Sequence, residues 1–185
     1  AMPPDALARR GMSRTFQNLQ VCMNMTAIAN VMVGAHLRLN QNLFASMLRL
    51  PSVRRADAVC RDEAAGLMEF VGVGRHIDDE AGQMSYGALK RLEIARALAA
   101  KPKVLLLDEP AAGLNHTETG EIEALIRKVA QSGVTVVLVE HDMKLVMNLS
   151  DHILVLDYGK KLAEGTAAEV RANPDVVAAY LGVAA

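Results

Sequence analysis

The sequence predicts an α/β fold in which helices flank a parallel sheet. Three short apolar runs, at 104–107, 134–139 and 153–157, suit strands buried within such a sheet. Between them lie segments whose apolar residues recur at three- and four-residue steps, which is typical of amphipathic helices. Strands that alternate with helices at this spacing favour right-handed crossovers and a parallel sheet.

Composition narrows the class of protein. The 185 residues suit one domain or one domain with a subdomain, and 51% of them are hydrophobic. A net charge of −1 offers no basic footprint, so we expect no nucleic-acid partner. No run approaches the length of a transmembrane helix. Cys22 and Cys60 lack metal-ligand spacing and suit a reducing cytosol, where we expect them to be small buried residues.

The first part of the chain is predicted to be mainly helical. Residues 1–14 carry Pro3-Pro4 and three arginines and are expected to be a frayed, polar leading segment. Thr26 is expected to cap one helix, and residues 41–50 form a shorter helical piece. A third helix is expected to run from a cap at Ser52 to the glycine pair in 72–74.

The central stretch is the most informative. Ser85 is a good N-cap for an apolar-periodic helix, which Lys101-Pro102 ends. The strand at 104–107 follows, and Asp108 and Glu109 lie at its carboxyl end, where ligands bind in open α/β sheets. An isolated Asp-Glu pair after a strand is more often only its solvated end, so the context of this pair decides its meaning.

After residue 115, helices and strands are predicted to alternate along the chain. Helices are expected after a cap at Thr117, over about 142–149, over 167–172 after Thr166, and from Asn173-Pro174 onward. A turn at 158–160 is expected to return the strand at 153–157 into a short hairpin partner at 161–164.

The stretch from Met84 to Asn115 resembles the ATP-binding subunit of ABC transporters. Ser85-Tyr86-Gly87 resembles the signature loop, Asp108-Glu109 the end of the Walker B strand, and residues 112–115, Ala-Gly-Leu-Asn, the D-loop. Residues 14–18, Arg-Thr-Phe-Gln-Asn, resemble the Q-loop. The resemblance implies a P-loop NTPase-like fold with a helical subdomain, without the N-terminal β-subdomain and the phosphate-loop strand.

The resemblance also implies ATP and Mg²⁺ as cofactors. Asp108 would hold Mg²⁺ through water, with Gln17 as a second candidate ligand. Glu109 would be the general base that polarises the attacking water. His141 would contact the γ-phosphate, although a lone histidine after a strand is usually only a surface residue.

The signature loop implies a dimer. Ser85, Tyr86 and Gly87 would bind the γ-phosphate of ATP held by a second ATPase subunit, in a homodimer or a heterodimer. Ala88 stands where the family commonly has Gln, so the resemblance implies contacts to the nucleotide from Ser85 and the main chain but none from a polar side chain at position 88. Asn115 stands where the D-loop commonly has Asp, which could soften coupling across the dimer.

One family element is missing from the sequence. No Gly-x-x-x-x-Gly-Lys-Ser/Thr phosphate loop occurs, so the chain would correspond to roughly the last two thirds to three quarters of a subunit. Alone, it is expected neither to bind ATP tightly nor to hydrolyse it. Because the family's phosphate-loop strand separates 134–139 from 153–157, these two strands are expected to collapse onto each other or to cause self-association.

The predicted organisation follows the same resemblance. Residues 1–18 would hold the leading segment and Q-loop, 19–84 the helical subdomain, and 85–185 the C-terminal part of the ATPase core. The central stretch, from Met84 to Asn115, and the tail from Asp157 to Gly182 resemble ATP-binding subunits of importers of branched-chain amino acids. Transmembrane permease subunits are the implied partners, with the ATPase peripheral on the cytoplasmic face of the inner membrane.

Two other functions stay open at this point. One is a non-transport ABC ATPase that acts on DNA or ribosomes, against which the near-neutral charge argues. The other is a degenerate, non-catalytic interaction module that naturally lacks the phosphate loop.

Overall fold

The structure, a computed structural model, describes residues 2–39 and 50–181. The chain divides into two compact units, Ala1–Val139 and Glu140–Ala185. The short helical piece predicted at 41–50 falls almost wholly outside the described residues. The predicted boundaries at 18 and 84 follow the family pattern and stay a prediction.

The first unit contains most of the regular structure. Its described elements are α1 (Pro4–Arg9), β1 (Met12–Arg14), α2 (Ala27–Gly34), α3 (Pro51–Phe70), α4 (Tyr86–Leu98), β2 (Val104–Asp108), α5 (His116–Gln131) and β3 (Thr135–Val139). Single 3₁₀ turns at Gly74–His76 and Ala81–Gln83 connect α3 to α4.

The three strands of this unit form a parallel sheet in the order β1-β2-β3, which confirms the predicted α/β class. In register, Met12 lies beside Val104, which lies beside Thr135. The prediction of a frayed leading segment was therefore wrong for residues 4–14, which contain α1 and β1. Gly11, with φ +89°, accepts main-chain hydrogen bonds from Lys103 and Val104, which leads β1 into the sheet.

The helix caps are partly as predicted. Thr26 and Ser85 each accept a hydrogen bond from the third residue of their helix, as expected. The prediction of Ser52 as a cap was wrong, because α3 begins at Pro51, whose fixed φ suits the first helical position.

The predicted cap at Thr117 was also wrong. Asn115 caps α5 in a reciprocal capping box with Glu118. The side chain of Asn115 accepts from the Glu118 amide, and the Glu118 carboxylate accepts from the Asn115 amide. This box satisfies two amides at once, which a cap at Thr117 would not do.

Helix α4 lies at the centre of the apolar packing. Its Leu92 is fully buried, as are Ile28 of α2, Met68 of α3 and Leu105 of β2. The approach of α2 to α4 is close, since a Cβ at Gly34 would lie 1.9 Å from the Arg96 carbonyl oxygen.

The second unit has its own small core. It contains α6 (Met143–Leu149), β4 (Ile153–Asp157), β5 (Lys160–Gly165), α7 (Ala167–Ala172), α8 (Pro174–Val176) and a π-helical turn (Val177–Leu181). Strands β4 and β5 form the predicted antiparallel hairpin. Ile153, Val155, Val170 and Val176 are buried together.

The strands that were predicted to collapse onto each other, 134–139 and 153–157, each pair with a strand of their own unit. In the described residues, β4 pairs with β5, whereas β3 pairs with β2. Both β3 and β4 expose apolar side chains on one face, with Val139 at 56% and Leu154 at 53% exposure. Self-association of the chain therefore stays a prediction.

The structure bears on two further predictions, the burial of the two cysteines and the lack of a membrane-spanning helix. Cys60 is buried as expected, but Cys22 is exposed, because it lies in the irregular segment that precedes α2. Across residues 2–39 and 50–181, no helix combines the length and apolar character needed to cross a bilayer.

Candidate functional site

The two acidic residues that end β2 have unusual main-chain geometry. Asp108 is the last residue of β2, and Glu109 follows it with φ +45°, in the left-handed region. The Glu109 amide donates to the Val139 carbonyl at 2.9 Å, and its carbonyl accepts from the Ala112 amide at 3.1 Å. A non-glycine residue in this region stores strain, a feature that clusters at functional sites.

The segment after β1 brings a second set of side chains to these acids. Gln17 Nε2 donates to Glu109 Oε2 at 2.9 Å. Three residues earlier, Arg14 Nη2 donates to Asp108 Oδ2 at 2.8 Å and forms an ion pair with it. The structure therefore brings together Gln17, Asp108 and Glu109, three of the predicted site residues.

Arg14 is a site residue that the sequence reasoning missed. It belonged to the quoted Q-loop motif but was given no role. Its partner lies 94 positions away, and the contact follows from the register of β1, in which Arg14 lies beside Leu106. The guanidinium also lies 5.2 Å from the centroid of the Phe16 ring.

The predicted signature loop begins α4. Ser85 Oγ accepts from the Ala88 amide at 3.4 Å, and Ser85 and Tyr86 are exposed. Gly87 is buried, and a Cβ there would lie 2.6 Å from Glu118 Oε1. The glycine therefore lets the capping box of α5 approach the first turn of α4.

The predicted D-loop lies against the same turn. Gly113 has φ +79°, and a Cβ at this position would lie 3.1 Å from Tyr86 Cε1. Asn115, the last residue of the loop, is the cap of α5. An aspartate would serve equally well as an N-cap, so the asparagine found here preserves the local structure.

His141 belongs to the second unit and is described within it. The side chain is exposed, and the main-chain amide donates to Glu140 Oε2 at 3.2 Å. Asp142, the next residue, caps α6 by accepting from the amides of Lys144 and Leu145. The catalytic role of His141 stays a prediction.

The donor set can be tested against Mg²⁺. No group of three or more His, Cys, Asp or Glu side chains poised to hold a metal occurs in the described part of the chain. Mg²⁺ usually binds through one or two carboxylates together with substrate phosphates, rather than in an all-protein cage. The carboxylates of Asp108 and Glu109, which Arg14 and Gln17 contact, are ligand types that fit a cation that arrives with a nucleotide.

Comparison with known families identifies the class of protein. The model of the family described as "ABC transporter" matches residues 3–112, which is more than half of the chain. A second family model, "Branched-chain amino acid ATP-binding cassette transporter", matches residues 160–185.

Named relatives agree with these matches. The chain is 46% identical over 184 residues to the high-affinity branched-chain amino acid transport ATP-binding protein BraF of Pseudomonas aeruginosa, covering 99% of this chain and 72% of that protein. LivG of Escherichia coli K12, described in the same words, is 45% identical with the same coverage. A probable LivG of Archaeoglobus fulgidus is 33% identical over 97% of this chain and 69% of that protein.

Solved structures share the fold. The ADP conformation of MJ1267, an ATP-binding cassette of an ABC transporter, superposes with a TM-score of 0.79 at 29% identity, covering 98% of this chain and 72% of that one. The cbiO1 protein of Clostridium perfringens, part of the ABC transporter complex cbiONQ, gives 0.73 at 27% identity, covering 92% and 62%. With Gln17, Asp108 and Glu109 gathered at the end of β2, these matches show that the chain belongs to the ABC transporter family of ATP-binding proteins.

Proposed function

We propose that this chain acts as the ATP-binding and ATP-hydrolysing subunit of an importer of branched-chain amino acids. The observation that supports this proposal most directly is the hydrogen bond from Gln17 to Glu109. In it, the amide of the proposed Q-loop donates to the proposed general base. The substrate class rests on the relatives, whose names specify branched-chain amino acid transport, and on the family match over residues 160–185.

The proposed chemistry follows from what phosphoryl transfer requires. The reaction needs charge neutralisation and a correctly placed water more than covalent help. Asp108 and Gln17 would hold Mg²⁺, which, when bound, neutralises phosphate charge. Glu109 would accept the proton of the attacking water, and the Gln17 amide, by donating to one carboxylate oxygen, fixes the direction of that carboxylate.

The signature loop would act on a different nucleotide. Ser85 lies at the amino end of α4, which has 13 residues, and helix amino ends bind phosphates through their amides and dipole. Ser85, Tyr86 and Gly87 would contact ATP held by a second ATPase subunit, and His141 would contact the γ-phosphate. The assembly would lie on permease subunits, at the cytoplasmic face of the inner membrane.

A mixing experiment tests this function. The chain is titrated into a full-length ATP-binding subunit of the same family that contains a phosphate loop, and Mg²⁺-dependent phosphate release is measured. If this chain supplies a signature loop to the other subunit's nucleotide, it should raise phosphate release per full-length subunit. With the Ser85→Ala variant, the gain in phosphate release should be smaller by a factor of about ten or more. A factor of ten corresponds to about 1.4 kcal/mol of lost transition-state stabilisation.

Ser132→Ala is the matched control, because Ser132 follows α5 and its hydroxyl donates to the Val129 carbonyl at the end of the same helix. It should behave as the unchanged chain does. No gain with the unchanged chain, or an equal gain with Ser85→Ala, would contradict the proposal and favour a non-catalytic interaction module.

Turnover by the chain alone is a separate question. Because its sequence contains no phosphate loop, we expect no Mg²⁺-dependent phosphate release in a malachite-green assay, and no tight binding of a fluorescent ATP analogue. Turnover that disappears in Glu109→Gln would show that other residues here cradle the phosphates, and the expected inactivity would be wrong.

A further inference from the structure

Three charged side chains of α4 face the segment that carries Gln17. Lys90, Glu93 and Arg96 recur every three residues and therefore lie along one side of the helix. Lys90 and Glu93 are each only 3% exposed, although charged residues are almost never buried this deeply unless they have partners.

The partners of these side chains are main-chain groups of the Q-loop and of Gln20, which lies two residues after it. Lys90 Nζ donates to the Gln17 carbonyl at 3.3 Å. The Gln20 amide donates to Glu93 Oε1 at 3.3 Å, and the Arg96 guanidinium donates to the Gln20 carbonyl. Buried charges therefore satisfy peptide groups of a segment that has no regular secondary structure.

The electrostatics of Glu93 fit this role. Burial raises the pKa of its carboxyl, while the amides of Gln20 and Phe16 and the cations of Lys90 and Arg96 lower it. A hydrogen bond in such a partly dry environment is stronger than one in water, and a missing partner costs more.

We infer that Lys90 and Glu93 are positioning residues that hold the Q-loop main chain against α4 and thereby set where the Gln17 side chain meets Glu109. Ser85 begins the helix whose next three turns hold Gln17 and Gln20, and Gln17 in turn contacts Glu109. This inference deepens the proposed function and rests on it for its catalytic meaning.

The test uses the whole chain without nucleotide. Amide hydrogen exchange is followed by NMR, with Phe16 and Gln20 reporting on the Q-loop and Leu105 and Leu107 of β2 on global opening. In Glu93→Ala, exchange at Phe16 and Gln20 should accelerate about tenfold relative to the two leucine amides. Glu93→Gln keeps an acceptor oxygen and should restore most of the protection.

The second measurement covers the case in which Glu93→Ala does not fold. Lys90→Met removes the donor to the Gln17 carbonyl and should shift the side-chain amide resonance of Gln17. Arg91→Met is the matched control on the same helix, since Arg91 pairs with Glu121 of α5 at 2.8 Å. It should leave that resonance unchanged.

Equal acceleration at the Q-loop and the leucine amides would mean a general loss of stability and would overturn the inference. An unchanged Gln17 resonance in Lys90→Met, or the same shift in Arg91→Met, would overturn it too. Because neither readout uses ATP, failure of the mixing experiment would leave this result standing, and the two proposals can fail separately.

Discussion

The Q-loop is held on two sides by contacts of different kinds. Its main chain meets α4 through Lys90 and Glu93, which are almost fully buried. Its side chains meet the acids of β2 through Arg14 and Gln17, on the surface, where the Arg14 side chain is 55% exposed.

This difference indicates which contacts of the Q-loop are strongly held and which can be replaced when a ligand binds. Rearranging a buried, hydrogen-bonded charge exposes unsatisfied groups and costs several kcal/mol, about 3–5 where one partner is removed. An exposed ion pair contributes about 0–1 kcal/mol. The main chain of the loop is thus anchored, whereas Arg14 can release the Asp108 carboxylate to a cation and a nucleotide at little cost.

The largest loss of stability is expected from a substitution at the contact between α2 and α4. Gly34→Ala would place a Cβ 1.9 Å from the Arg96 carbonyl oxygen and 3.1 Å from Ala99 Cβ, so α2 must move away from α4. We expect a loss of about 3 kcal/mol in the free energy of unfolding, measured by urea denaturation with circular dichroism.

Gly66→Ala is the control for this variant. Gly66 lies within α3, and nothing lies within 4 Å of a Cβ built there. Alanine should stabilise the helix by about 0.5–1 kcal/mol. Equal effects at the two glycines would mean that α2 does not hold α4 in place.

The second effect concerns the charge on Glu93. Because the folded pKa of its carboxyl is raised above the ordinary value of 4.5, the stability it contributes is complete below that value and is lost as pH rises through the folded pKa. Glu93→Gln removes this loss. Its free energy of unfolding, relative to the unchanged chain, should therefore rise from acid to neutral pH.

Glu63 of α3 supplies a control of opposite sign. Hydrogen bonds from Lys101 and Arg38 lower the pKa of its carboxyl, so its stabilisation is present above the ordinary value and lost as pH falls through the folded pKa. Glu63→Gln should be less stable than the unchanged chain at neutral pH, with the difference shrinking in acid. Its side chain is 36% exposed, so this difference should be small.

A smaller effect tests the link between the D-loop and α5. Asn115→Ala removes the cap and should cost about 1 kcal/mol, because the Glu118 amide loses its acceptor. Thr117→Ala lies two residues further on, inside the helix, and should change stability by less than half of that. Thermal denaturation of the two variants side by side would show which residue is the cap.

The smallest loss of stability is expected at the exposed ion pair between Arg14 and Asp108. Arg14→Ala should lower stability by less than about 1 kcal/mol, and the loss should shrink further at high salt. A loss of several kcal/mol would contradict the proposed contrast, since the ion pair with Asp108 would then be as firmly held as the main chain.

Local rules predicted the elements whose causes are local. The strand at 104–107 and the caps Thr26, Ser85 and Thr166 follow from neighbouring residues, and each is found. The cap of α5 was missed because two good cap formers lie two positions apart. The spacing of Asn115 and Glu118 was the signal that could have decided between them.

Contacts between distant segments could not be read in this way. The pairing of Arg14 with Asp108 depends on the register of β1 against β2. Burial of Lys90 and Glu93 depends on a loop about seventy residues earlier, and on sequence alone both residues belong to the polar side of a helix. The predicted roles of Ser85, Gly87, Asp108 and Glu109 came from the family resemblance, and they stay predictions.

The left-handed main chain of Glu109 sets folding against chemistry at a single position. A non-glycine residue there costs about 1–2 kcal/mol, and asparagine tolerates this conformation better than glutamate. Glu109→Asn should therefore be more stable than Glu109→Gln, which chemical denaturation can measure. Stability alone would thus favour another residue at this position, so folding does not explain the glutamate that the chain has there.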